Sequence, residues 1–331
     1  MMLALPDDEQ LALARGVADF VADAFPIARL RENRPRDGER WGERWGDLAA
    51  LGVFGVGLAE AEGGLGLTCV EQVLVARELG RTLVSPAAIA AMLAPQVAAE
   101  AGEPALCAAL LAGERQVGIG LGALDGEARA IDADDGLALM VAGDTVSLIA
   151  GPPRPLQCID ETSRLFAMPL PGSGNAATVV ATTVSPGLAL AAHLLAAAML
   201  VGQLETTRDM AATQARTRVQ FGHPIGAYQA IKHRCADAAL GAELCWTQVW
   251  AAAHALASLA DNAEFQVRAA KWLAGTEALK AARFNIQAHG GMGFTQECDA
   301  QLLLKRTHIL NQMFGNPQGV PGQLVNLPVE A

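Results

Sequence analysis

The chain has 331 residues, 52% of them hydrophobic and 18% charged, and a formal net charge of -11. That length supports two or three domains with a large buried core, and the apolar share excludes intrinsic disorder. The acidic balance argues against non-specific nucleic-acid binding, which needs a basic face, so an acidic ligand would have to be held by local contacts.

The start, MMLALPDDEQ, lacks a cationic leader region and reads as no signal peptide. Residues 7 to 25 read as a helix, with Asp7 as cap and Leu11, Ala14, Val17, Val21 and Ala24 at three- and four-residue steps. A charged, proline-bearing connector follows at Arg31 to Arg40. After Trp45 to Leu51 comes LGVFGVGLAEAEGGLGL, too rich in glycine for a helix interior. Thr68 to Leu79 is helical again, and Ala87 to Leu111 gives two alanine-rich helices divided by Gly102-Glu103-Pro104. Residues 1–115 are therefore expected to form an all-helical domain.

The pattern changes at Gln116. Short β-type runs (Leu137 to Val141, Thr145 to Ile149, Ala177 to Thr183) alternate with turn signals, which predicts a small antiparallel β domain over 116–185. From Pro186 to the end, 186–331, the chain is helical. Gly187 to Gly202 is apolar except for His193, yet shorter than the ~20 residues of a membrane span, and reads as a helix buried on all sides. Ile231, Cys235, Ala239, Ala242, Trp246, Val249 and Ala253 mark one helical stripe. Phe265, Ala269, Trp272, Thr276, Leu279 and Ile286 mark another. Ala300 to Met313 forms a last helix, and the proline-rich tail after Asn316 reads as irregular. The six cysteines (Cys69, Cys107, Cys158, Cys235, Cys245, Cys298) show no CxxC pair and no metal-site spacing, so reduced thiols in a cytoplasmic protein and no bound metal are expected.

Gly118-Ile119-Gly120-Leu121-Gly122 and Gly63-Gly64-Leu65-Gly66 do not sit in a strand-turn-helix unit followed by an acid, so neither is a dinucleotide fingerprint. No Walker loop or nucleophile elbow is present. Two segments remain. In TRVQFGHPIGAYQAIKH (Thr217 to His233), Arg218 and Gln220 stand at a helix end before Phe221-Gly222. An arginine fork suits a bridging pyrophosphate; the plainer reading is a helix C-cap. In QAHGGMGFTQE (Gln287 to Glu297), Gly290 and Gly291 allow close approach of a ligand and an anion-binding nest of amides. Here too an ordinary helix C-cap is the alternative.

The pair together resembles the acyl-CoA dehydrogenase family. TRVQFGHPIGAYQAIKHRCAD is similar to its R-x-Q-F-G-x-P-I pattern with the following F/Y-Q-x-I, and QAHGGMGFTQECDAQLLLKR to its Q-x-x-G-G-x-G run. WGDLAALGVFGVGLAEAEGGLGLTCVEQVLVARELGR looks like its N-terminal signature. The resemblance spans about 1–115 and 186–316. It implies a mainly α fold with a small β domain: an N-terminal helical domain, a reduced central antiparallel β domain and a C-terminal four-helix bundle. It also implies FAD at a subunit interface of a tetramer, homomeric or with an acyl-CoA dehydrogenase homologue. Arg218, Gln220 and Phe221 would approach that FAD, as would Gln229, Gln287 and the backbone of Gly290 and Gly291. The implied reaction is α,β-desaturation of an acyl-CoA thioester, a carboxylate taking the α-proton as the β-hydrogen leaves as hydride to the flavin.

Three departures qualify the resemblance. The family's usual base is a Glu before a Gly after the last helix, and Phe314 stands there. A minority carry the Glu on the first C-terminal-domain helix, and Ala192 stands there, with His193 beside it. The central part is also shorter than the family's and lacks its Thr/Ser-Glu-Pro type loop. Glu205 lies roughly 20 Å along the helix from Ala192, too far to substitute. The expectation is a base-less subunit working with a partner that supplies the base. A non-catalytic homo-oligomer is the alternative, and a homo-oligomeric enzyme using His193 is a more distant one.

Overall fold

The computed structural model describes residues 5–32, 42–172, 177–315, 320–325 and 327–328. The expected connector at Arg31 to Arg40 lies mostly outside them. Among the described residues six helices come first: α1 (Asp8–Ala24), α2 (Ile27–Glu32), α3 (Gly42–Ala50), α4 (Cys69–Arg81), α5 (Ala87–Glu100) and α6 (Pro104–Leu111). Capping explains the sharp starts of α1 and α4. Asp7 and Gln10 form one capping box and Thr68 and Glu71 another, so backbone donors left over by the first helical turn are satisfied. Gln10 then reaches across to Glu71 at 2.7 Å, tying the two helix starts together.

Seven strands follow among the described residues: β1 (Gly118–Leu124), β2 (Glu127–Ile131), β3 (Leu137–Ala142), β4 (Thr145–Ala150), β5 (Arg154–Leu156), β6 (Leu165–Pro169) and β7 (Thr178–Val184). They make one sheet in the order β5-β6-β2-β1-β3-β4-β7. The expected antiparallel sheet needs one correction: β1 pairs parallel with β3, so the sheet is mixed. The hairpin β1–β2 and the hairpin β3–β4 lie side by side, with their first strands adjacent and running in the same direction. One face of the sheet, including Ile119, Leu137, Leu139 and Leu148, joins the main core formed with α5 and α7.

The remaining helices are α7 (Pro186–Thr217), α8 (Gln229–Ala257), α9 (Ala263–His289), α10 (Ala300–Gln312) and α11 (Val320–Leu324). A two-stranded hairpin, β8 (Val219–Gln220) and β9 (His223–Pro224), joins α7 to α8. The short α11 corrects the expectation of a wholly irregular tail. α7 is the one helix among the described residues long and apolar enough to cross a membrane, and it is the buried centre of the molecule instead.

Small residues set how closely these helices pack. A side chain at Gly80 on α4 would collide with the Met199 backbone of α7, and one at Gly202 on α7 would collide with the Arg77 carbonyl. The two helices therefore touch backbone to backbone. Beside the crossing, Glu205 accepts from Arg77 at 2.5 Å and from Arg81 at 2.7 Å. On α9 most of the second sequence stripe proves misplaced: Phe265, Trp272 and Leu279 are only half-buried although Ile286 is buried, whereas Val267, Ala270, Ala274, Ala278 and Ala282 form the core face. Alanines win the inner position because large side chains would hold the helices apart. On α8 the stripe holds in its second half, while Ala239 is exposed.

Arg306 on α10 joins all three parts of the chain. Its side chain is fully buried, donates to Asp160 at 2.5 Å and to Thr162 Oγ1 at 2.7 Å, and reaches the Leu83 and Val84 carbonyls at 2.9 and 2.8 Å. Burial by itself pushes the Asp160 carboxyl up, but the guanidinium and the Thr162 hydrogen bonds hold it below the usual range. Asp132 nearby is raised, because burial outweighs its bonds from Ser85 and the Arg164 amide.

Candidate functional site

α7 and α9 run up the bundle and α8 and α10 run down, so the ends of α7 and α9 and the start of α8 share one end. Ala211 of α7 and Phe284 and Ala288 of α9 form a small core there with Ile231 and Cys235 of α8. The two sequence segments singled out above therefore lie at the same end of the bundle.

In the first segment α7 stops at Thr217, and Arg218 takes an extended conformation as its C-cap. The Arg218 amide donates to Gln214 O at 2.9 Å and its carbonyl accepts from the Ile225 amide at 2.8 Å. The guanidinium is exposed and has no partner among the described residues. Phe221 (φ 54) and Gly222 (φ 82) form the hairpin tip. Positive φ at both central residues is the signature of a type I′ turn, whose twist matches the flanking strands. A phenylalanine in that region is strained, and this one is 91% exposed. Tyr228 supports the tip, its hydroxyl donating to Gln220 O at 3.2 Å, while the Gln220 amide folds onto Val219 O at 2.7 Å. Gln229 opens α8, exposed, at a helix start without a side-chain cap.

The second segment ends α9. Gln287 is exposed on the last turn, and Gly290 (φ 62, ψ -141) closes the helix with its amide on Gln287 O. That conformation belongs to glycine alone. Gly291 differs: its φ is ordinary and a side chain there would meet nothing within 4 Å. Nothing among the described residues explains why it is a glycine. Gly293, by contrast, sits hard against the Ile286 carbonyl, where any side chain would collide. Met292 and the 75%-exposed Phe294 add apolar surface beside the turn.

The positions of Phe314 and Ala192 also come together. Phe314 follows α10 in the left-handed region (φ 63), and its ring lies 5.4 Å from that of His193. Ala192 is fully buried next door. Across from them on α9, Lys271 is buried and donates to Asn311 O at 3.1 Å, while Arg268 pairs with Glu264 at 2.7 Å. Burial pushes the Lys271 ammonium down to about 7. Burial, with Lys271 and Arg268 nearby, pushes the His193 imidazole down to about 3. His193 is therefore neutral across the physiological range and a weak proton acceptor.

Two family descriptions match the chain: Acyl-CoA dehydrogenase, N-terminal domain, over residues 7–113, and Acyl-CoA dehydrogenase, C-terminal domain, over residues 191–318. The acyl-CoA dehydrogenase IpdE2 of Mycobacterium tuberculosis is 30% identical over 324 residues, covering 95% of this chain and 96% of its own. This chain belongs to the acyl-CoA dehydrogenase family. Among solved structures, the ChsE4-ChsE5 complex from Mycobacterium tuberculosis shares the fold at a TM-score of 0.83 and 22% identity, covering 98% of this chain and 99% of that one. The Tcur3481-Tcur3483 steroid ACAD shares it at 0.76 and 21% identity, covering 96% and 97%.

Sequence reasoning did not single out Tyr228, Gly293 or Lys271. Tyr228 is the lone tyrosine of the chain, which was a usable signal. Gly293 and Lys271 matter only through what they pack against, and no local pattern marks that.

Proposed function

We propose that this chain is a flavoprotein subunit of an acyl-CoA dehydrogenase that desaturates an acyl-CoA thioester and takes its catalytic base from a partner subunit. One observation carries the reading: a corner open to an outside ligand lies in the same bundle as a base position that holds no carboxylate. An unpartnered Arg218, an exposed strained Phe221 and a Gly291 with free space above it fit a group that arrives from beyond the chain. Arg218 and the Gly290-Gly291 amides would hold the diphosphate of FAD, Gln220, Gln229 and Gln287 would add neutral donors, and Phe221 would pack beside it. Bound there, FAD would supply the acceptor for the β-hydrogen. This chain's residues would bind and orient, while Phe314, His193 and Ala192 wall the acyl side without taking the α-proton.

A mixed tetramer follows from this reading, and the ChsE4-ChsE5 complex among its structural relatives favours it. The steroid ACAD relative favours a bulky acyl group. Six free cysteines suit a reducing cytoplasm. The second reading, a non-catalytic homo-oligomer acting as a binding or scaffold protein, keeps the same fold but gives the exposed corner no FAD. His193 as base is disfavoured by its weak basicity.

The test is purification alone and with a co-expressed acyl-CoA dehydrogenase homologue, recording flavin absorbance, mass and acyl-CoA-dependent dye reduction. A yellow, active mixed assembly is expected. A colourless homo-oligomer that ignores every such partner sinks the proposal. Phe314→Glu places a carboxylate at this chain's base position, and in flavin-loaded preparations without a base-bearing partner activity should rise about 100-fold or more.

A further inference from the structure

A groove on the side of the bundle has no role in the function proposed above. It lies between α8 and α9 and encloses about 420 Å³, with Leu204, Ala281 and Phe284 as its buried apolar lining. Leu240 and Leu244 line it too, one turn apart on α8, yet they are 61% and 51% exposed. Leucines that far in solvent, side by side at a groove, mark an interaction surface rather than scattered apolar residues. A cavity of about 150 Å³ takes a benzene ring, so this groove has room for two leucine side chains from outside.

The charges on its rim narrow the choice of occupant. Arg234 and Lys280 are cationic and Asp237 and Glu277 anionic, so the groove carries two charges of each sign. Glu277 and Lys280 pair with one another at 2.6 Å, while Arg234 and Asp237 have no ion-pair partner among the described residues. The whole chain, by contrast, carries -11. That charge drives copies apart over most of their surface, and the balanced groove is a place where two can meet without that cost. Leucine knobs and groove also share one patch, as a two-fold contact requires if each copy is to fill the other.

We infer that the α8–α9 groove is the contact between two copies of this chain. Leu240 and Leu244 of each copy enter the other's groove, and Arg234 and Asp237 meet opposite charges across the two-fold axis. The inference extends the mixed-assembly reading above: the contact joins this chain's copies side to side and leaves the Arg218 end of each bundle for a base-bearing partner.

The full chain alone, followed by sedimentation over a range of concentrations, tests the contact without flavin or partner. A dimer is expected, and Leu240→Glu combined with Leu244→Glu should raise its dissociation constant about 100-fold or more. Both side chains are exposed within the chain, so helix content by circular dichroism should be unchanged. Hydroxyl-radical labelling reads the same contact without any substitution, because Leu240 and Leu244 should become protected as the dimer forms. A chain that stays monomeric at every concentration overturns the inference, as does a dimer that survives both substitutions. So do leucines that become protected only once an acyl-CoA dehydrogenase homologue is added. A dimer that behaves as expected but never binds flavin or gains activity with any homologue overturns the functional reading alone. A yellow, active mixed assembly whose mass ignores both substitutions overturns this inference alone.

Discussion

Arg306 and Arg218 are the same residue type in the same helical bundle, and their surroundings differ completely. Arg306 has no exposed surface and spends its donors on Asp160, Thr162 and the Leu83 and Val84 carbonyls. Arg218 stands in solvent beside a strained hairpin tip, with its guanidinium unpartnered among the described residues. The first is saturated and holds three parts of the chain together. The second is unsaturated and belongs to a surface that gains by being covered. A buried charge must find its partners within the fold, whereas an exposed one can wait for a ligand.

Breaking that contrast at its buried end should have the largest effect. Arg306→Met strips Asp160 of its cation and leaves a charge buried, a loss of about 3–5 kcal/mol. Urea unfolding measures it, and a loss under 1 kcal/mol would show that the clamp holds little.

Arg218→Ala should leave the melting temperature unchanged and weaken flavin binding by about 1.5–3 kcal/mol, the range for hydrogen bonds to a charged group. Gly291→Ala should do the same in kind, because a methyl fits the free chain but enters the space assigned to the ligand. If either variant melts early while binding flavin normally, the corner is structural.

Lys271 sharpens the comparison as a buried cation without a carboxylate partner among the described residues. Its group titrates near 7 in the folded chain and near 10.5 in the unfolded one. Between those values the unfolded state binds more protons, so stability should rise with pH across that window and the full penalty should apply below it. The slope is at most about 1.4 kcal/mol per pH unit. Lys271→Met should flatten it, as read from urea midpoints at pH 7 and 9; an unchanged slope would place the titration elsewhere.

The smallest effect is expected far from both arginines. Thr68→Ala removes the capping side chain of α4 and should cost about 1 kcal/mol without touching flavin binding.

Much of the fold was legible because local rules and tertiary packing agree. Asp7 and Thr68 announce helix starts, Gly102-Glu103-Pro104 divides α5 from α6, and the turn signals after Gln116 separate strands. Strands β3, β4 and β7 were legible, but β1, β2, β5 and β6 were not; in β1, Gly118-Ile119-Gly120-Leu121-Gly122 has poor strand propensity and pairs between β2 and β3. The α9 stripe misled for a related reason. Periodicity ranks Phe265, Trp272 and Leu279 above alanine, but a close-packed bundle reserves its inner face for the small residues. The candidate site was half legible: its glycines and Arg218 stand in recognisable strings, whereas the meeting of His193, Lys271 and Phe314 joins residues far apart in sequence.

The amino-acid order alone determined the family, the run of helices, strands and helices, and the two glycine-bearing corners, because each is written in short-range chemistry. Only the tertiary structure decided which arginine is buried and which is open, which glycine is forced by a neighbour and which faces free space, and that His193 is neutral. Those outcomes depend on solvent exposure and on charges brought close by packing, and neither exists until the chain has folded.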